Sequence, residues 1–289
     1  MPKDKINKVI DIINWGDKFF AEKGVQESRL NIELLLCSIL KCKRLQLYLS
    51  FDKPLNRDEL DILSHYVIRR SKREPIQYIL GENEFMGFPF KVNESVLIPR
   101  PETEILVESV VAFTKKNINE SYSILDIGTG SGNIAVSLAK LIPNSKITAL
   151  DCSESALAIA KLNSEINLVS KNIKFVLFDF LQSDNSLLQN FDVIVSNPPY
   201  ISNEEYERLE PEIFFEPKNA LTDYGDGFLF YKKILEFAKS KLNQNGLLSV
   251  EIGYQQGESV SSMFKQNDFE VEIIKDYAHI DRVVIGVQR

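Results

Sequence analysis

The chain is short of the residues that metal and disulfide chemistry need. Its three cysteines, Cys37, Cys42 and Cys152, form no CxxC pair and leave an odd count, which argues against a disulfide framework and against a zinc site. Two histidines, His65 and His279, are too few for a histidine-rich metal site or a histidine-based triad, so no metal is expected. No apolar run approaches the ~20 residues that span a bilayer. The opening MPKDKINKVIDIINWGDKFF alternates charged with apolar residues and has no signal-peptide core. A cytoplasmic protein without a membrane partner is expected. Positive charge is also in deficit, with 34 Lys and Arg against 41 Asp and Glu, a net of −7. Binding to nucleic acid by counterion release needs clustered cations. The one short basic cluster, RRSKRE at Arg69–Glu74, reads as a solvated helix end, where cations suit the dipole. No direct nucleic-acid partner is expected.

What the chain does have is a change of texture along its length. Its 289 residues allow a sizeable core and one large or two modest domains. Residues 1–74 read as helical. Ile6, Val9, Ile10 and Ile13 lie on one helix face. NIELLLCSIL is apolar nearly all round and reads as a buried helix of a bundle. Asn56 with Glu59 forms a capping-box-like start for the next helix. Residues 75–96 form a linker, and Pro75–Asn93, aromatic and broken by Gly81, Gly87 and Pro89, reads as short paired strands. From about residue 122, SILDIG, KITALD, IKFVLFD, FDVIVS and GLLSVEIG alternate with helical patterns, as in a parallel sheet with crossover helices. FEVEIIKD and DRVVIGVQ are separated by only a few residues, as in an antiparallel pair. The expected organisation is a helical bundle over 1–74, a hairpin linker over 75–96 and an α/β domain over 97–289.

LDIGTGSGNIAVSLAK, Leu125–Lys140, passes from strand through glycines into helix. Gly128, Gly130 and Gly132 permit a tight turn and close backbone approach to a ligand, and the helix start offers unpaired N–H groups. Asp151 closes the next strand, where a carboxylate can accept both hydroxyl protons of a ribose. The dinucleotide fingerprint G-x-G-x-x-G/A fails at Asn133. Asp126, two residues before the first glycine, would repel a pyrophosphate and suits a cationic ligand better.

LDIGTGSGNIA resembles the first motif of class I methyltransferases. That resemblance implies S-adenosylmethionine as methyl donor, with the loop of Gly128, Thr129, Gly130, Ser131 and Gly132, together with Asp126, against its amino-acid end and Asp151 on its ribose. FDF, Phe178–Phe180, falls where this class places an acid–aromatic pair, implying Asp179 on the adenine amine and Phe180 on the ring. The implied fold is a doubly wound seven-stranded sheet with one strand antiparallel.

SNPPYIS, residues 196–202, follows the apolar strand FDVIV. Two adjacent prolines fix the backbone and withdraw two N–H donors. Asn197 is no strong base, so help for a planar –NH₂ acceptor must come from positioning. The Asn197 side-chain carbonyl and the Pro198 carbonyl can each accept one N–H, Pro199 stiffens the turn, and Tyr200 offers an aromatic face. The motif alone leaves an amide and a nucleobase amine both open. EPIQYILGENEFMGFPFKVNESVLIPRPETE, EPKNALTDYGDG, EIGYQQG and DRVVIG resemble, in order, segments of the release factor glutamine methyltransferases (the HemK/PrmC family), with Met86 where that family would carry tryptophan. This resemblance implies transfer to the glutamine of the Gly-Gly-Gln loop of peptide chain release factors, and it places Arg100, Glu102 and Thr103 near the site. Two rivals are a nucleic-acid amine methyltransferase, which would want a basic groove, and a donor-binding protein without catalysis, against which the intact NPPY argues. A monomer is expected.

Overall fold

The computed structural model describes residues 7–117, 120–185 and 188–288; Ile6 lies outside them. The chain divides into two compact units, one running to Gly81 and including Glu210–Phe215, the other holding Glu82–Leu209 and Glu216 onward.

The first unit is helical: α1 (Val9–Glu22), α2 (Ser28–Leu40), α3 (Arg44–Tyr48), α4 (Arg57–Ser71) and α5 (Ile76–Leu80). Val9 and Ile13 are fully buried, as their spacing requires, and α2 contributes Ile32, Leu35 and Leu36 to the same core. Asn56 accepts the Glu59 N–H, and the Glu59 carboxylate takes the Asn56 N–H, a reciprocal cap that satisfies two donors at the start of α4. The apolar α2 also buries Glu33 completely, and its carboxylate is held by Arg29, Arg44 and Tyr48.

The basic cluster departs from the solvated helix end that composition suggests. Arg70 is 5% exposed. It donates to Asn31 Oδ1 at 2.7 Å and to Glu212 Oε1 at 3.1 Å, and Arg73 donates to both Glu212 oxygens at 2.6 Å. Arg69 pairs with Glu74. The acids that neutralise Arg70 and Arg73 lie about 140 positions away in the chain, beyond the reach of any local pattern. Pro75–Asn93 is strand only from Glu82. Pro75 instead opens the short helix α5, which Gly81 ends in the left-handed conformation.

The second unit begins with the hairpin β1 (Glu82–Phe85) and β2 (Phe88–Lys91), joined by Met86 and Gly87, both at positive φ. Such a pair matches the twist of the flanking strands. Met86 and Phe88 pack against the core below the sheet. There follow α6 (Thr103–Lys116), β3 (Tyr122–Ile127), α7 (Asn133–Leu141), β4 (Ser145–Asp151), α8 (Glu154–Ile166), β5 (Ile173–Leu177), β6 (Phe191–Ser196), α9 (Asn203–Tyr206), α10 (Leu229–Lys241), β7 (Leu242–Glu251), α11 (Gly257–Lys265), β8 (Phe269–Lys275) and β9 (Asp281–Gln288). The sheet order is β5-β4-β3-β6-β7-β9-β8, and β9 alone runs opposite to the other six strands. One apolar cluster packs each face of the sheet. After β3 the chain winds outward to β4 and β5, then returns to place β6 on the other side of β3. That reversal opens a crevice at the carboxyl ends of the strands, where such sheets bind ligands.

Candidate active site

The carboxyl ends of the four strands at the reversal are level. Ile127 pairs with Leu150 and with Ser196, and Asp151 pairs with Leu177. The motifs that follow these strands therefore converge. Ser196 strengthens the join by donating to the Ile127 carbonyl at 2.8 Å, which sets Asn197 beside the start of the glycine loop. A cavity at this point is walled by Gly128 and Gly130 from the loop, Asp151, Asp179 and Phe180 from the next two strand ends, and Asn197 and Pro199 from the turn.

Within the loop, Gly128 (φ 74°) and Gly130 (φ 53°) have open space where a Cβ would project, so a ligand can approach the backbone closely there, while their N–H groups are held by the Leu150 carbonyl and the Asp151 carboxylate. Gly132 (φ 80°) meets a packing need instead. A Cβ there would stand 3.0 Å from Ala160 Cβ, so the bare glycine lets α7 pack against α8. Thr129 and Ser131 are buried behind the loop. Thr129 donates to Asp126 Oδ2 at 2.6 Å, and the Ser131 carbonyl accepts from Asn163. Asp126 is fully buried rather than on the cavity wall, and its Oδ1 has no hydrogen-bond partner. Burial, with Asp151 nearby, lifts its pKa to about 7 against the pull of the Thr129 hydrogen bond.

Asp151 accepts the Gly130 N–H at 2.8 Å and the Ser153 N–H at 2.9 Å, one on each oxygen. An ionised carboxylate has about four acceptor sites, so each oxygen keeps capacity for a ligand hydroxyl. Burial raises the pKa of this carboxyl, and these backbone donors oppose the rise. Asp179 accepts the Leu181 N–H, and Phe180 stands edge-on to Phe237 at 5.4 Å between ring centroids, buried except toward the cavity.

At the turn, Asn197 Nδ2 donates to Thr103 Oγ1 at 3.2 Å. Among the described residues no hydrogen bond reaches Asn197 Oδ1 or the Pro198 carbonyl. Tyr200 is not on the wall of this cavity. It borders an adjoining groove with Asp226, Tyr254, Gln256 and Arg282, and its hydroxyl donates to the buried Glu251 at 3.2 Å. Burial and the Glu251 charge raise the Tyr200 pKa strongly, so it stays a neutral phenol. The Tyr200 carbonyl accepts from Gln256 Nε2, and Gly227 packs so closely that a Cβ there would fall 2.3 Å from that oxygen. Asp223 holds the Gly227 segment by accepting the N–H groups of Gly225, Gly227 and Leu229.

These residues explain the long-range motifs. EPKNALTDYGDG supplies Asn219 and Ala220 to the cavity and Gly227 to the back of the turn; EIGYQQG supplies Gln256. Leu97, Cys152, Asn219, Ala220 and Phe230 on the cavity, and Glu251 behind Tyr200, were not singled out from sequence. Of these Leu97, Asn219, Ala220 and Glu251 sit in motifs that carry the family resemblance, while Cys152 and Phe230 sit in none. Arg100 pairs with the buried Glu216, which also accepts the Ile98 N–H.

Comparison with known proteins decides the family. Residues 11–81 match the PrmC N-terminal domain, and residues 102–249 match the methyltransferase small domain. The release factor glutamine methyltransferase of Geobacter sulfurreducens is 42% identical over 98% of both chains. That of Fusobacterium nucleatum is 41% identical over 98% of this chain and 80% of its own. The chain belongs to the release factor glutamine methyltransferase family. A solved methyltransferase from Pyrococcus furiosus, 20% identical, covers 81% of this chain and 99% of its own at a TM-score of 0.50, a likeness of fold. Within the family's two-part organisation the site just described lies wholly in the methyltransferase unit, and no described helix is long and apolar enough to cross a membrane.

Proposed function

We propose that the chain transfers a methyl group from S-adenosylmethionine to the side-chain amide nitrogen of the glutamine in the Gly-Gly-Gln loop of peptide chain release factors. Full-length similarity to enzymes of that name supports the reaction. The observation that carries it in the structure is the free Asn197 Oδ1, held on the edge of the donor cavity by the Thr103 contact behind it.

The cavity's residues fit this donor. Bare glycine backbone accommodates its amino-acid end, the spare acceptor capacity of Asp151 meets a ribose diol, and Asp179 with Phe180 offers an acceptor and a ring edge to adenine. Asp126, buried behind the loop with one oxygen unpartnered and its pKa lifted to about 7, would be drawn into its ionised form by a cationic ligand at that end. When bound, the donor supplies a methyl group on a sulfonium. The protein's part is to bring a weak nucleophile into line. An amide nitrogen is a poor nucleophile because its lone pair is delocalised. With its two hydrogens on Asn197 Oδ1 and the Pro198 carbonyl, the nitrogen is fixed toward the donor, and both acceptors favour the positive charge that develops there. The prolines hold those acceptors without side-chain freedom, and Tyr200 walls the adjoining groove from which a glutamine would enter. The helical unit serves as a docking surface for the macromolecular substrate, and the active species is a cytoplasmic monomer.

Asn197→Ala tests the positioning directly. Single-turnover methylation of release factor should fall on the order of 10²-fold or more, while binding of the product S-adenosylhomocysteine changes much less. Turnover near the parental rate would refute the role given to the turn.

A further inference from the structure

Behind the turn lies a buried carboxyl that the reaction as described does not use. Glu251 ends β7 and is 3% exposed. Its Oε1 accepts the Tyr200 hydroxyl at 3.2 Å. The Thr103 hydroxyl is close enough to favour its ionised form, while Oε2 makes no full hydrogen bond. Thr103 in turn accepts from Asn197 Nδ2. One carboxyl thus holds Tyr200 directly and neighbours the Thr103 hydroxyl that Asn197 contacts, with an oxygen free to take that hydroxyl's proton.

We propose that Thr103 and Glu251 are positioning residues that fix the Asn197 amide with its carbonyl toward the acceptor. This role rests on the methyl-transfer reading above. The direction of each proton decides which way the amide faces. An ionised carboxylate can only accept, and a hydroxyl has one proton to give. If Glu251 takes the Thr103 proton, the Thr103 oxygen can only accept from Asn197. The amide must then turn its NH₂ to Thr103 and leave Oδ1 toward the substrate. With Glu251 protonated or made neutral, the Thr103 proton is released. It can then be given to Asn197 Oδ1, the amide turns over, and an NH₂ group faces the NH₂ group it should orient. The Tyr200 hydroxyl then keeps an acceptor in the neutral group but loses the charge that strengthened the bond.

The groups around Glu251 set where this happens. Glu102, just before α6, raises its pKa; Arg282 of β9 and the Tyr200 hydroxyl lower it; burial outweighs them and brings it to about 7. Tyr231 of α10 donates to the Glu251 backbone carbonyl rather than to the carboxylate. Transfer should therefore weaken as pH falls through about 7, when the carboxyl gains its proton.

The test uses the full chain, whole release factor and three variants. Thr103→Val and Glu251→Gln should each lower kcat about 10- to 100-fold, the scale of a misplaced reacting group, with the product's Kd within about twofold of the parent. Thr103→Ser should restore most of the rate. The acid limb of the parental kcat profile should be absent from Glu251→Gln. The Asn197 side-chain NH₂ resonances provide an arm independent of any substrate: Thr103→Val should move the proton bonded to Thr103 upfield. Parental kcat in both variants, or an unmoved Asn197 resonance, would overturn the proposal. So would kcat loss matched by equal loss of product binding without rescue by serine, which would mean collapse of the site. Failure of the wild-type chain to methylate release factor would refute the functional reading instead, and the resonance arm would still decide the network.

Discussion

Removing the Asp151 carboxylate should cost donor affinity by an amount the geometry allows to be worked out. Each oxygen already accepts one backbone N–H, from Gly130 and from Ser153. What remains for a ligand is one good acceptor direction per oxygen, enough for the two hydroxyls of a ribose. Hydrogen bonds to a charged group contribute about 1.5–3 kcal/mol net, and in Asp151→Ala water partly replaces both. A loss of about 1.5–3 kcal/mol for the pair is a weakening of about 10- to 100-fold. Asp151→Asn keeps one acceptor and should fall between the parent and alanine. Because Asp151 helps raise the Asp126 pKa, removing its charge should also make Asp126 easier to ionise, which limits the loss for a cationic ligand. Titration calorimetry with S-adenosylhomocysteine gives the number. An unchanged Kd in Asp151→Ala would mean that the ribose is held elsewhere.

Gly227→Ala should lower transfer at least 10-fold with donor affinity little changed, since the new Cβ cannot coexist with the Tyr200 carbonyl 2.3 Å away and φ is 81°; paired rate and binding measurements check this. Glu212→Gln should destabilise the helical unit by about 2–3 kcal/mol in denaturant unfolding, because Arg70 is left buried without its carboxylate. That is somewhat below the full cost of breaking a buried pair, since Glu212 keeps some solvent contact. Asp126 and Glu251 both have folded-state pKa values raised to about 7. The folded chain then binds more protons than the unfolded one between about pH 4 and 7, so these two groups make stability fall as pH rises across that window. The Asp126→Asn, Glu251→Gln double variant should show a flatter dependence of thermal midpoint on pH there.

The parallel sheet was legible because each strand is a short apolar run and each crossover a helical period. The antiparallel end was legible because FEVEIIKD and DRVVIGVQ are too close for a crossover. Gly128, Gly130, Asp151 and Asn197 are legible as residues at strand ends, which parallel strands bring together, whereas Asp179 and Phe180 enter only through the family resemblance. The misreadings have two physical causes, partners distant in the chain and an element too short to show a period. Arg70 looked solvated because its partner Glu212 is 142 positions away, and charge patterns report only local neighbours. Pro75–Leu80 looked extended because a five-residue helix is too short to show a period. Glu251 was hidden in the same way: a carboxylate at a strand end reads as surface until the fold puts Tyr200 and Thr103 around it.

That the acceptor is a protein amide can be tested most directly with three acceptors side by side. Purified chain should be incubated with methyl-labelled S-adenosylmethionine and whole release factor, the same factor with its Gly-Gly-Gln glutamine changed to glutamate, or nucleic acid. An ionised glutamate brings no N–H to Asn197 and Pro198. Mass spectrometry should find one methyl group on the wild-type glutamine and none on the glutamate factor, DNA or RNA; methyl on nucleic acid with the release factor unmodified would contradict the account.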